Sequence, residues 1–303
     1  MPRGMSWHDY NDSLEERGRI LFDLGFARNW NRELEVMNSD KKGRPYEFPD
    51  SYIEFLSFFK VGLNAPYRVI EGMTEALSEY LRMVEEMHFT QIRRRVLAMA
   101  RKKKPECLDK VGEGIHQDDP PTVVVDSTGL STTNKGSYIE AMWRKEKRKF
   151  VKLHIVADRK TGKIVGFRVT SEKTGDTKKF VPMVREVARK RKVAKAYADS
   201  AYDSRSNFNL LREIGAEPAI KLRKNASEKA KWSPLRKEEA MLTHRVGYEE
   251  WKRLKDYGKR WMAEIVFSAF KRVLGDTLMA RGFLAQKAEV ALKVMLYNRF
   301  MSF

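Results

Sequence analysis

One cysteine, Cys107, is all that 303 residues contain. A single thiol excludes an intramolecular disulfide and every zinc site built from several cysteines. It fits a chain that works in a reducing cytoplasm, which is where we place it. No apolar run approaches the length that spanning a bilayer requires. The first residues, MPRGMSWHDYNDSLEERGRI, are polar and charged, unlike a secretory signal. No basic amphipathic segment stands apart as a membrane anchor, so we expect no membrane partner. Acidic residues are the other shortage: 41 Asp and Glu face 60 Lys and Arg, for a net charge of +19 and a pI near 9.8. What is present in quantity is apolar, 42% of residues, enough for a core and too much for a chain disordered throughout.

A charge of that size suggests a polyanionic partner, with nucleic acid the first candidate. The charge is concentrated. Residues 1–118 carry 19 Lys and Arg against 20 Asp and Glu, whereas residues 119–303 carry 41 against 21.

Hydrophobic spacing divides the chain in the same place. Residues 50–61, 67–83 and 89–101 have helical periodicity, with Asp50 or Ser51 and Thr90 as caps. Residues 1–44 are weakly patterned, with a short helix possible from Asp12 and Ser13. Residues 1–101 are thus expected to be an all-helical region, and residues 102–120, rich in charge, proline and glycine, a linker. From residue 121 the period changes. Strands are expected at 122–126, 150–157, 163–170, 195–199 and 217–222, with a hairpin turn at Thr161-Gly162. Helices are expected at 178–190, at 204–214 with Gly215 as its stop, at 257–273 and at 283–300. Residues 223–256 are basic and resist assignment. This is an α/β domain over 121–303 whose crossovers favour parallel neighbours with helices on the faces.

Three acids sit at informative places. Asp126 and Asp199 each end an expected strand. If those strands are parallel neighbours, both carboxylates emerge at one sheet edge, where they repel unless a cation lies between them. Mg²⁺ is the natural occupant, since it takes oxygen ligands and needs few from the protein. Glu264 belongs to the expected helix 257–273, on which Tyr257, Arg260, Glu264 and Lys271 fall within roughly 60° of one another. Trp261, Ile265, Phe267 and Val273 make the opposite, packing face. One stripe then carries a carboxylate for metal and cations for phosphate.

Three stretches carry a likeness: VVVDSTGL around Asp126, AYADSAYDS around Asp199, and the spaced set Tyr257, Arg260, Glu264 and Lys271. In these the chain resembles the DDE transposases of prokaryotic insertion sequences, in the group named after insertion sequence five. The resemblance covers residues 120–300 well and residues 50–100 more loosely. It implies an RNase H-like mixed five-stranded sheet flanked by helices, preceded by the helical region, which would bind DNA. It implies that Asp126, Asp199 and Glu264 are the catalytic and metal-binding residues, holding two Mg²⁺ ions for which Mn²⁺ can substitute. The implied reaction is cleavage at the ends of a mobile element to expose a 3′-hydroxyl, followed by its attack on target DNA. Double-stranded DNA is then the partner, as terminal inverted repeats and as target, with the protein a homodimer on it. Tyr257, Arg260 and Lys271 would contact DNA near the scissile phosphate. The stretch 223–256 has no assigned role and is too short for the large β insertion of some relatives.

Other readings compete at several positions. Asp203 shares the loop of Asp199 but lies four residues past the strand, where capping the helix at Ser204 suits it better. Glu264 and Arg260 could be an ordinary i, i+4 pair, worth about 0.3–0.5 kcal/mol. Arg93, Arg94 and Arg95 either enter a DNA groove with their helix or make a solvated face. Lys135 and residues 144–149 could follow a phosphate backbone. Trp143 and Trp232 could stack on a base or pack locally, and His154 is read as structural. Two whole-protein alternatives are a non-catalytic DNA-binding regulator derived from a transposase and a stand-alone DNA endonuclease.

Overall fold

The computed structural model describes residues 6–102, 122–132, 150–229 and 231–302. The chain divides into two compact units, residues Met1–Cys107 with Leu278–Phe303, and residues Leu108–Thr277. The expected linker 102–120 falls almost wholly outside the described residues, as do Cys107, Lys135, Trp143 and residues 144–149. Among the described residues, no helix is long and apolar enough to cross a membrane.

The first unit is helical: α1 (Trp7–Leu21), a 3₁₀ turn (Leu24–Ala27), α2 (Trp30–Asn38), α3 (Asp50–Gly62), α4 (Tyr67–Tyr80) and α5 (Phe89–Lys102). The weakly patterned N-terminal stretch is therefore mostly helix. Helix α1 buries no side chain, and a capping box starts it: the Asp9 amide donates to Ser6 Oγ (3.1 Å) and the Ser6 amide to Asp9 Oδ2 (3.2 Å). Phe26 and Trp30 then enter an aromatic cluster with Phe48, Tyr52 and Phe55, where Phe26 lies 4.9 Å from the Phe55 ring and 5.0 Å from that of Tyr52. Each such ring pair adds about 0.5–1.5 kcal/mol beyond burial. Helix α5 starts at Phe89, one residue before the expected cap. The Thr90 hydroxyl instead meets His88 Nδ1 at 2.8 Å.

The second unit is built on five strands: β1 (Thr122–Ser131), β2 (Phe150–Asp158), β3 (Ile164–Ser171), β4 (Lys195–Ala198) and β5 (Glu217–Ile220), in the order β3-β2-β1-β4-β5. Strands β1, β2 and β3 are antiparallel neighbours, while β4 runs parallel to β1 and β5 parallel to β4. This is the mixed RNase H-like sheet that the resemblance implied. Gly162 turns the β2–β3 hairpin at φ +70° and Gly215 stops a helix at φ +67°, conformations that glycine adopts without a Cβ penalty. Between β3 and β5 lie α6 (Thr177–Lys190) and α7 (Arg205–Glu213). They cover one face of the sheet, where Val123, Val125, Val156 and Val165 pack on Phe180, Met183, Val184 and Phe208.

The basic stretch 223–256 is not a loop. It forms α8 (Pro234–Val246) and α9 (Tyr248–Leu254), and the chain continues through a 3₁₀ turn (Tyr257–Trp261) into α10 (Met262–Leu274). Pro234 at the first helical position, after Ser233, is a helix-start signal. These elements cover the opposite face of the sheet, where Val124, Tyr197 and Ala219 meet Trp251, Tyr257 and Ala263. Alternation along β1 thus sends Val123 and Val125 to one face and Val124 and Asp126 to the other.

The last helix, α11 (Phe283–Phe300), contacts α1, α3 and α5. The sequence reading closed the α/β domain with it. The structure gives it to the helical unit: 13 of its 18 residues are buried, and it packs against α1, α3 and α5.

His154 is structural, as expected, and carries a pH dependence. Its ring is fully buried on β2. Nε2 meets the Thr170 hydroxyl at 2.8 Å, while Nδ1 lies 3.7 Å from Asp176 Oδ1, beyond hydrogen-bond reach. Burial lowers its pKa to about 4, with Lys152 and Lys179 adding to the shift and Asp176 opposing it. The unfolded chain protonates near 6.5 and the folded one near 4, so the unfolded state binds more protons between those values. Stability from the neutral ring is complete above pH 6.5 and is lost as pH falls toward 4, by about 3 kcal/mol at most. Urea unfolding between pH 7 and pH 4 is expected to give a shallower loss for His154→Gln than for wild type. Parallel curves would show that this ring does not titrate on unfolding.

Candidate active site

Sheet register brings the two aspartates together. Val124 on β1 pairs with Tyr197 on the parallel strand β4. Asp126 and Asp199 are each two residues further on, which puts the two residues side by side on the face of Val124 and Tyr197, with a backbone spacing of about 4.8 Å between the strands that carry them. One expectation changes here. Asp126 does not end its strand: β1 runs on to Ser131 against β2, and it is β4 that stops, at Ala198. The end of β4 leaves Asp126 without a neighbour on that side, and Asp199 turns into the opening. Each aspartate spends one oxygen on a nearby amide. Asp126 Oδ1 accepts from the Ser127 amide (2.7 Å), and Asp199 Oδ1 accepts from the Ala201 amide (2.9 Å), capping the 3₁₀ turn Ser200–Tyr202.

Glu264 reaches the same place from the first turn of α10. Arg260 joins it to Asp126: one guanidinium nitrogen lies 3.4 Å from Asp126 Oδ2 and another 2.6 Å from Glu264 Oε1. Two carboxylates 138 residues apart in sequence therefore sit within the span of one guanidinium. The Glu264 side chain is 62% exposed and that of Asp126 18%. The Asp126 carboxyl is pushed up to about 6, first by burial and then by the nearby charges of Asp199 and Glu264, against the Ser127 amide and Arg260. Desolvation thus dominates the shift, and the neighbouring acids add to it.

Tyr257 has another task than the one expected. The segment 257–261 is 3₁₀ and not α-helical, which turns Tyr257 away from the stripe of Arg260 and Glu264 and into the core. Only 6% exposed, it donates its hydroxyl to the Ala198 carbonyl at 3.1 Å, directly before Asp199. Trp261 moves the other way, to 55% exposed. Phe267 is buried as expected, while Ile265 and Val273 are half-buried. Lys271 is half-buried two turns beyond Glu264, about 10 Å along α10.

The residues that hold this turn in place lie in the unassigned stretch. Glu239 of α8 accepts from Trp251 Nε1 (3.0 Å) and pairs with Lys255 (2.7 Å). Lys255 also meets Glu217 of β5 at 3.2 Å, and Glu217 meets Lys195 of β4 at 3.1 Å. The buried charges are paired and hydrogen-bonded, and they fasten α8 and α9 to the first residues of β4 and β5, at the end of those strands opposite Asp199. Trp251, at 1% exposure, was the sequence signal available for this anchor.

In the helical unit the three arginines divide. Arg93 and Arg94 are exposed, and Arg93 lines an open cleft of about 740 Å³ with Lys60, Arg101 and Arg281. Arg95 is committed to the fold: it donates to the Phe48 carbonyl and to Asp50 Oδ1, both at 2.9 Å, and stacks over Tyr46. Trp232 is 76% exposed, in the basic segment before α8.

The donors suit a hard divalent cation, being three carboxylates with half-exposed access and no sulfur or imidazole among them. As they lie, no three acidic or histidine side chains among the described residues are close enough to hold an ion unaided. Arg260 occupies the space between Asp126 and Glu264, so a positive charge already stands where an ion would be needed.

Two family models, both described as Transposase DDE domain, match the chain, one over residues 117–299 and the other over residues 15–135. Among solved structures, the piggyBac transposase synaptic complex with hairpin DNA aligns over 94% of this chain and 73% of that one, at 10% identity and a TM-score of 0.43. The catalytic domain of Mos1 mariner transposase covers 57% of this chain and 93% of its own, at 12% identity and a TM-score of 0.26. The Mos1 paired-end complex with left transposon end covers 76% and 81%, at 13% identity and a TM-score of 0.24.

Proposed function

The chain belongs to the transposase DDE-domain family, and we propose that it cleaves DNA at the ends of a mobile element and joins them to a target, using Asp126, Asp199 and Glu264. The observation that carries this reading is the parallel β1–β4 register, which sets two aspartates side by side where β4 ends, beneath the helix that carries Glu264.

The three acids would hold divalent metal, Mg²⁺ or Mn²⁺. When bound, two such ions activate the attacking oxygen and stabilise the leaving oxygen at phosphorus. The chain's own residues do the rest. Asp126 and Asp199 are fixed from behind by the Ser127 and Ala201 amides, so their remaining oxygens are aimed without rotamer cost. Tyr257 locks the 3₁₀ turn to Ala198 and so sets the distance from Asp199 to Arg260 and Glu264. Arg260 and Lys271 supply positive charge for phosphate oxygens, whose charge is spread in the transition state. The exposed Arg93 and Arg94 would contact duplex phosphates, and the +19 charge favours association with DNA over any neutral partner. Two element ends must be held at once, so the active species on DNA is a homodimer.

The test is incubation of the protein with labelled DNA carrying candidate terminal repeats, a target plasmid and Mg²⁺. Cleaved ends that appear covalently joined to target support the reading. Cleavage without joining identifies an endonuclease, and binding without either reaction identifies a regulator.

A further inference from the structure

Among the described residues Arg260 stands between Asp126 and Glu264, and it takes up oxygens that a metal would use. Asp126 has Oδ1 on the Ser127 amide and Oδ2 facing Arg260, so both of its oxygens have partners. Glu264 Oε1 is held by the same guanidinium at 2.6 Å. A guanidinium does not deprotonate in a protein, so it can leave two carboxylates only by moving to another anion. Its side chain is 23% exposed and its partner Glu264 lies at the surface, so that movement does not cross the core. Tyr257 anchors the backbone of the turn to β4, which confines the movement to the Arg260 side chain.

We propose that Arg260 is an internal placeholder cation: it neutralises Asp126 and Glu264 in the DNA-free protein, and a DNA phosphate draws it off, opening their oxygens to divalent metal. This rests on the acids being the metal site, as proposed above. Without the guanidinium, Asp126, Glu264 and the adjacent Asp199 are an uncompensated cluster that demands a cation. Phosphate binding and metal binding are then coupled through one side chain, each strengthening the other by the same factor. The consequence is a site that charges with metal only where DNA is present.

The experiment is Mn²⁺ titration of the full chain followed by electron paramagnetic resonance, without DNA and with a short duplex, the duplex's own binding being subtracted. Without DNA, Arg260→Gln is expected to bind Mn²⁺ about tenfold or more tighter than wild type, within the usual range of coupling between sites. Arg260→Lys, which keeps the charge, is expected to stay near wild type. Duplex should tighten Mn²⁺ binding to wild type and leave Arg260→Gln unchanged. Equal or weaker Mn²⁺ binding by Arg260→Gln overturns the proposal, as does equal tightening by Arg260→Lys or a wild type indifferent to duplex. Asp199→Asn separates the two layers. If it keeps full Mn²⁺ affinity, the metal-site reading itself fails. If it loses Mn²⁺ while Arg260→Gln shows no gain, only the placeholder fails.

Discussion

Asp126→Asn, Asp199→Asn and Glu264→Gln are each expected to slow strand cleavage and joining by at least about a thousandfold while leaving duplex binding intact. Stabilisation of phosphoryl charge by metal is worth several kcal/mol, and each 1.4 kcal/mol is a factor of ten in rate. Loss of one ligand from a set of three removes that contribution almost entirely. Duplex affinity should hold or rise slightly, because each change deletes a negative charge from a strongly basic protein. The amides keep their local roles: an asparagine at 126 or 199 can still accept from the Ser127 or Ala201 amide, so the change is in charge and not in geometry. Chelation of divalent ions should stop both reactions for wild type, and Mg²⁺ or Mn²⁺ should restore them. Single-turnover gel assays with end-labelled duplex, beside gel-shift binding curves, read all of these. A variant that keeps cleavage within tenfold of wild type removes its residue from the proposed set.

The sheet was legible because its strands announce themselves. VVVD, FVKLHIVA and KIVGFRVT have the runs and alternation of half-buried strands, and Thr161-Gly162 marks the hairpin between the last two. The sequence put Asp126 and Asp199 at strand ends, and only the structure shows that β1 and β4 are parallel neighbours. What stayed hidden has physical causes. Helix α1 buries nothing, so it has no apolar stripe, and only the Ser6–Asp9 spacing marks its start. Helices α8 and α9 carry charges of both signs and little apolar periodicity, and their buried anchors Glu239 and Trp251 come from different helices. Helix α11 mixes polar and apolar residues around its whole circumference and buries Gln286, Glu289, Lys293 and Asn298, so periodicity could not say which unit it joins. The role of Tyr257 depended on a 3₁₀ turn that a helical projection cannot foresee, since 3.0 and 3.6 residues per turn drift apart within one turn. Arg95 and Arg93 are two residues apart on one helix, and only the position of Asp50 separates a packing arginine from a free one.

Arg236→Ala is expected to cost about 3–5 kcal/mol of stability without touching the chemistry, and Asp203→Asn a comparable share. Asp203 was the sequence rival of Asp199, and its surroundings remove it from the reaction. Its carboxylate is inaccessible to solvent, Arg236 binds it through two nitrogens at 2.6 and 2.9 Å, and the Arg223 amide donates to it at 3.0 Å. It does not cap the following helix; Ser204 does, accepting from the Asn207 amide at 3.3 Å. The pair ties the loop after β4 to the first turn of α8. Breaking a buried pair by removing one partner strands a charge out of water, which is the source of the 3–5 kcal/mol. For a unit of this size each kcal/mol moves the midpoint by roughly 2–4 °C, so thermal unfolding should fall by on the order of 10 °C. The double change Asp203→Leu with Arg236→Met, which removes both charges and keeps the volume, should recover most of the loss. Asp199→Asn, four residues away, should melt close to wild type and be inactive, whereas Arg236→Ala should cleave at a near-normal rate per folded molecule when assayed well below its lowered midpoint. Differential scanning calorimetry of the four proteins, paired with cleavage rates at low temperature, distinguishes the two aspartates. An Asp203→Asn protein of normal stability that has lost cleavage would exchange their roles.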